Sequence, residues 1–263
     1  MDRISKAVER ARHAPQEGIE GARLSVKHAP KMNFEPASVS IDRLSLEDNR
    51  LISRDGTDSY SHAYKVLRTR VWQQMRANSW SNLAITSANP GEGKSLTAIN
   101  LATSLSLMEI GKKVILIDMD MRRPSVHEYL GFWPEYGLSD YLQGNVSIDQ
   151  LTLKPDLGKF LLIPGNVPIE NSSEVLSSNR VQKLLHDLKL YFPSRLVIFD
   201  MPPLLPTDDV LVFSPQLDAV LLVIAEGQTS MADVTNSANL LKGTNLLGTV
   251  LNKSEDSNKK FGY

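Results

Sequence analysis

The sequence predicts an α/β domain, a mostly parallel β-sheet flanked by helices, preceded by a flexible N-terminal arm. Six apolar runs recur along the chain: Leu83–Thr86, Val114–Ile117, Phe160–Ile163, Leu196–Phe199, Ala219–Ile224 and Leu246–Leu251. Stretches with helical apolar spacing lie between them, at Ser95–Met108, Arg180–Leu190 and Met231–Lys242. The runs are continuous rather than alternating, as strands are when both faces are covered. Strand and helix taking turns in this way is the pattern of a parallel sheet with helices on both sides.

Residues 1 to about 60 carry few large apolar side chains, with Pro, Ser, His and charges mixed without a period. Such a segment buries too little apolar surface to offset its ordering entropy, so it reads as a flexible arm. Within it, Ile4, Ala7, Val8 and Ala11 recur at helical spacing over Arg3–His13, a short amphipathic helix suited to docking. From there Ala63, Tyr64, Leu67, Val71 and Met75 form an apolar stripe, predicting an amphipathic helix over Ser61–Arg76. The domain is expected over residues 61–253, with a tail at 254–263.

The 263 residues, 41% of them hydrophobic, suffice for one ordinary domain and an appendage. With 29 basic and 30 acidic side chains the net charge is −1, so no global field favours nucleic acid or an anionic membrane. The absence of cysteine excludes disulfides, thiolate metal sites and cysteine nucleophiles. No apolar run is long enough to span a bilayer, and the first residues lack the apolar stretch of a secretory leader, so a cytoplasmic location is expected. His13, His28 and His127 lack metal-ligand partners at useful spacing and read as surface residues. Trp72, Trp80 and Trp133 read as packing residues.

In sheets of this type ligands bind at the carboxyl ends of the strands, so chemistry is sought just after each apolar run. The first run leads into Ser87-Ala88-Asn89-Pro90-Gly91-Glu92-Gly93-Lys94-Ser95-Leu96 and then a helix. Gly91 and Gly93 let backbone amides turn towards an anion, and the helix start adds its positive end. Lys94 would reach the β- and γ-phosphates of ATP, and the Ser95 hydroxyl would ligate Mg²⁺. Ala88 stands where the strict G-x-x-x-x-G-K-[ST] pattern has its first glycine. Two further runs end in acids, at Asp118-Met119-Asp120-Met121-Arg122-Arg123 and at Asp200-Met201-Pro202-Pro203. Carboxylates there can hold a metal through water or take a proton from an incoming hydroxyl.

Taken together, Pro90–Ser95, Ile115–Arg122 and Val197–Pro203 resemble the Walker A, A′ and B motifs of the bacterial tyrosine kinases (BY-kinases) of capsule and exopolysaccharide synthesis. These kinases share the P-loop NTPase fold of the ParA/MinD ATPases. The likeness covers roughly residues 60–253 and includes the Asn171–Leu176 segment and Val250–Lys253. ParA/MinD proteins carry a signature lysine early in the loop, where this chain has Asn89, and that favours the kinase branch. The resemblance implies a Mg²⁺-ATP-dependent protein-tyrosine autokinase acting beside a separate membrane-embedded polysaccharide chain-length or export protein. Homo-oligomerisation goes with this reading, and a nucleic-acid partner does not. A nucleotide-dependent switch or ATPase scaffold that phosphorylates nothing is the alternative.

By the same resemblance Lys94 stabilises the transferring charge. Ser95 and Asp200 position Mg²⁺, and Asp118 is the base that activates the tyrosine hydroxyl as well as a member of the metal set. Asp120 supports the metal and Arg122, while Pro90–Leu96, Arg122 and Asn252 contact nucleotide, Asn252 at the adenine. The chain departs from the family in two places. Its tail holds one tyrosine, Tyr263, as phospho-acceptor, and the family's E-x-x-R-x-x-R assembly motif reads His62, Lys65 and Arg68.

Overall fold

Successive side chains on a strand point to opposite faces, so a continuous apolar run feeds two cores at once. That division is seen throughout the sheet of this computed structural model, which describes residues 35–41, 43–53, 60–108 and 113–254. The elements, in chain order, begin with β1 (Ala37–Val39), α1 (Arg43–Asp48), α2 (Ser61–Ala77), β2 (Asn82–Ser87) and α3 (Lys94–Ser106). Next come β3 (Lys113–Asp118), α4 (Val126–Tyr129), α5 (Leu138–Gln143), α6 (Ile148–Leu151), β4 (Leu153–Pro155) and β5 (Phe160–Ile163). The last are α7 (Ser172–Leu176), α8 (Asn179–Tyr191), β6 (Arg195–Asp200), α9 (Asp209–Phe213), β7 (Ala219–Ala225), α10 (Met231–Leu240) and β8 (Leu246–Asn252).

The eight strands run in the order β1-β4-β5-β3-β6-β2-β7-β8, and every pairing is parallel except β4 with β5. Ile115, Ile117, Leu161, Ile163 and Phe199 face one core, which α8 closes with Val181, Leu184 and Leu188. Val114, Leu116, Phe160, Leu162 and Ile198 face the other, closed by α3 and by Val71 and Met75 of α2. All six expected strands and the four expected helices form, each within about two residues of its sequence limits.

One expectation is corrected. The arm does not extend to about residue 60, because residues 35–53 are built into the domain. β1 pairs with β4, and Asp156 accepts hydrogen bonds from Ser40 Oγ (3.0 Å) and the Ile41 amide (2.9 Å). Leu51 and Ile52 are buried. Asn100 of α3 accepts from the Ile52 amide at 2.9 Å and donates to the Arg50 carbonyl at 3.0 Å. The segment is held by backbone pairing and a buried amide, neither of which needs the apolar periodicity that the arm lacks. The helix expected at Arg3–His13 lies outside the described residues.

Of the three positions matched to the assembly motif, Arg68 is committed within the chain. Its Nη1 donates to the Ser104 carbonyl at 2.8 Å, bracing α2 against the last turn of α3. Among the described residues no helix is long and apolar enough to cross a membrane.

Candidate nucleotide and phosphoryl-transfer site

The parallel sheet brings the ends of β2, β3 and β6 side by side, and the register places Asp118 opposite Asp200. After β2 the chain turns through Gly91 (φ 77°) and Gly93 (φ 95°) into α3, which begins at Lys94. Both glycines sit in the left-handed region that side chains resist. A Cβ at Gly93 would also overlap the Asn252 amide. Ala88 is buried and does not have positive φ, so the position of the missing first glycine asks for no special backbone. The loop is zipped to the segment after β6, since the amides of Leu204 and Leu205 donate to Ser87 and Ala88 at 2.8 and 3.1 Å.

Lys94 is buried at the floor. Its Nζ lies 2.8 Å from Asp120 Oδ2, 3.5 Å from Asp200 Oδ1 and 3.2 Å from Ser95 Oγ. Burial alone would depress the Lys94 pKa, but Asp200 and Asp120 outweigh it and hold the ammonium charged above its ordinary range. The carboxylates respond in the opposite sense. Burial, reinforced by the Asp200 charge, pushes Asp118 up to about 8, and burial raises Asp200 as well. Asp200 Oδ2 is buried without a hydrogen-bond partner, and the Ser95 hydroxyl meets Ser125 Oγ at 2.9 Å.

The two acids after β3 have different surroundings. Asp118 Oδ2 accepts the amides of Ser125 and Val126, both at 3.0 Å, and Oδ1 accepts the Asp120 amide at 3.3 Å. Its carboxylate is thereby spent on folding its own loop. Asp120 instead reaches the cavity, one of about 840 Å³ that is also lined by Pro90, Gly91, Gly93, Lys94, Ser95 and Arg122. Glu92 turns away from it. Its Oε1 accepts Thr229 Oγ1 at 2.6 Å, and its carbonyl accepts Asn252 Nδ2 at 2.8 Å. Leu96, in the first turn of α3, is half-buried against the core. Asn252 thus braces the loop from the β8 side, whereas the cavity opens over the ends of β3, β5 and β6.

Three sequence readings are corrected here. Arg122 is not partnered by Asp120. Its guanidinium grips Asp209 at the start of α9, with Nη2–Oδ1 at 3.0 Å and Nε–Oδ1 at 3.2 Å, and Ser172 Oγ donates to the same carboxylate at 2.6 Å. His127 is no surface residue, being 1% exposed in the cavity wall. Trp133, expected to pack, is 82% exposed at the rim, while Trp72 and Trp80 do pack against the core.

Sequence reasoning missed Asp209. The Asp208-Asp209 pair opening a helix was the available signal, because acids there satisfy free amides as readily as they bind a cation. Asp209→Ala strips Arg122 and Ser172 of their acceptor at a fully buried position. It is expected to cost about 1–3 kcal/mol, read as a lower urea midpoint. An unchanged midpoint would mean that Arg122 finds water instead.

A family described as the CobQ/CobB/MinD/ParA nucleotide binding domain matches residues 83–261. Tyrosine-protein kinase YwqD of Bacillus subtilis is 33% identical over 207 residues, which are 77% of this chain and 85% of that protein. AmsA of Erwinia amylovora is 33% identical over 221 residues, 82% of this chain but only 30% of that longer protein. The kinase domain of the Escherichia coli tyrosine kinase ETK superposes with a TM-score of 0.66 at 27% identity, covering 88% of this chain and 95% of the domain.

Proposed function

This chain belongs to the bacterial tyrosine-protein kinases, with a nucleotide-binding domain of the CobQ/CobB/MinD/ParA type, and on that premise we propose that it transfers the γ-phosphoryl group of ATP to tyrosine hydroxyls in exopolysaccharide or capsule synthesis. The observation that carries the reading is Lys94, held charged between Asp120 and Asp200 on the floor of the cavity, beside a loop that turns through Gly91 and Gly93 at positive φ.

Phosphoryl transfer asks for positioning and charge stabilisation more than for covalent chemistry. The Gly91–Ser95 amides and the α3 N-terminus bind phosphate oxygens. Lys94 then turns from Asp120 to the phosphates, where it offsets the charge that develops as the terminal phosphoryl leaves ADP. That movement frees Asp120, the cavity-facing acid, to accept the phenolic proton as the new O–P bond forms. Asp118, engaged by the Ser125 and Val126 amides, acts as a positioning residue. Arg122, fixed by Asp209, adds a cation to the cavity wall. Asn252 keeps its Oδ1 for a base amine, with Nδ2 committed to Glu92.

The oxygen donors fit Mg²⁺, because Ser95 Oγ and the unpartnered Asp200 Oδ2 supply a hard hydroxyl and a carboxylate. Held there, Mg²⁺ would supply positive charge against the phosphate oxygens during transfer. Among the described residues no three carboxylate or imidazole groups form a closed cage, in keeping with an ion that takes its remaining ligands from phosphate and water. A membrane-embedded polysaccharide export or chain-length protein is the partner proposed from the family resemblance, with homo-oligomers and recruitment to the inner membrane face accompanying it.

The test is incubation with Mg²⁺-ATP followed by intact-mass and phosphopeptide analysis, with Tyr263→Phe alongside. Tyr263 lies outside the described residues and is the proposed acceptor. Added phosphate that vanishes in Tyr263→Phe is the expected result. Tight ATP binding with no phosphotyrosine on the chain or on added tyrosyl peptides would sink the kinase reading in favour of a nucleotide switch.

A further inference from the structure

The cavity reaches well beyond the phosphate-binding floor, and its outer wall has a different chemistry. Pro124, Pro168, Pro202 and Pro206 line it together with buried His127, and Trp133 stands at its rim. The chain leading into Trp133 is a closed turn. The amides of Gly131 and Phe132 bond the Glu128 and His127 carbonyls at 3.1 Å, closing the turn after α4 through a left-handed Gly131 (φ 70°). Beneath Trp133 lies buried His127, with ring centroids 5.0 Å apart at 54°. Burial keeps that imidazole below its ordinary pKa, so it backs the indole as an uncharged ring.

The indole is 82% exposed and lines the same cavity as Lys94 and Asp120. Resting on the kinase reading, we propose that Trp133, backed by His127, is the stacking face that receives the phenol ring of the acceptor. The proposal deepens that reading by assigning the residues that select the acceptor. A tyrosine can keep its backbone at the rim, lay its ring against the indole and still extend its hydroxyl to the floor. Serine and threonine have no ring to lie against the indole. Trp133 is therefore a specificity-determining residue that favours tyrosine through ring contact.

The test needs no turnover. A fluorescent decapeptide with the sequence of residues 254–263 is titrated into the full chain with ADP and Mg²⁺, beside a second peptide carrying Ser in place of Tyr263. Trp133→Ala is expected to weaken the tyrosyl peptide about tenfold, as loss of an aromatic pair does, and Trp133→Phe to restore it to within about threefold. The seryl peptide should bind wild type weakly and lose nothing further in Trp133→Ala. Equal affinity of wild type and Trp133→Ala for the tyrosyl peptide, an equal loss for both peptides, or no binding to wild type overturns the proposal. Transfer from ATP is scored separately. Trp133-dependent binding without phosphotyrosine defeats the kinase reading and leaves the stacking face standing, while phosphotyrosine formed with no dependence on Trp133 does the reverse.

Discussion

Lys94→Met is expected to lower the rate of phosphotyrosine formation by a factor on the order of 10²–10³, as loss of a single preorganised charge-stabilising group does. Two terms act together. The first is the missing ammonium on the transferring phosphoryl. The second is the unmatched Asp120 and Asp200, which Lys94 neutralises at 2.8 and 3.5 Å. Left without a cation, two buried carboxylates repel both each other and an incoming phosphate, so nucleotide binding should weaken as well. Methionine keeps the length and apolar stem of lysine, so the fold is retained and the urea midpoint serves as the control. A variant that keeps its rate within about tenfold of wild type, with the midpoint unchanged, would remove Lys94 from the chemistry.

The second large effect is on stability, through Asp118. Its carboxyl is raised to about 8 by burial and by Asp200, against an ordinary carboxylate range in the unfolded chain. Between about pH 4 and 8 the folded state holds a proton that the unfolded state has released, so the nucleotide-free protein loses stability as pH rises. Asp200 is raised also and acts in the same direction. His127 acts the other way: its lowered pKa adds stability as pH rises towards the ordinary imidazole range, and the gain is complete above it. Asp118→Asn separates the two, because asparagine still accepts from the Ser125 and Val126 amides yet carries no charge to desolvate. The variant is expected to be more stable than wild type at pH 8, by on the order of a few kcal/mol, and to converge with it near pH 4. Urea midpoints across that range decide the matter, and parallel curves for the two proteins would refute the assignment. Mg²⁺ alone should flatten the wild-type curve by lending the cluster positive charge.

The elements that were legible in the sequence are those whose burial is continuous. Val114–Ile117 and Ala219–Ile224 are strands in any reading, because four to six unbroken apolar residues bounded by turns fit little else. β1 and β4 were not legible. Ala-Ser-Val and Leu-Lys-Pro are three residues each, mostly exposed or half-buried, and are set by pairing, β1 with β4 across more than a hundred residues of chain and β4 also with β5. α4 to α7 span four to six residues, too short for a helical stripe to repeat.

Within the site, Lys94, Ser95, Asp120 and Asp200 could be read because each directly follows a strand or opens a helix. The division of labour between Asp118 and Asp120 could not. It depends on which carboxylate the backbone of residues 125 and 126 captures, and that is a property of the folded turn. His127 and Trp133 were misread for a related reason, since a lone histidine or tryptophan carries no period to say which way it faces.

Residues 35–53 form a load path. Tension applied to the chain ahead of β1 falls first on three backbone pairings with β4 and on the Asp156 carboxylate. Behind them it meets Asn100 in the middle of α3 and, through the Asn49 side chain, the Tyr129 carbonyl at 2.9 Å, at the end of the helix that carries His127. The helix that starts at the phosphate loop and the helix that lines the cavity thus hang from one short strap, and a pull on that strap reaches both walls of the site together.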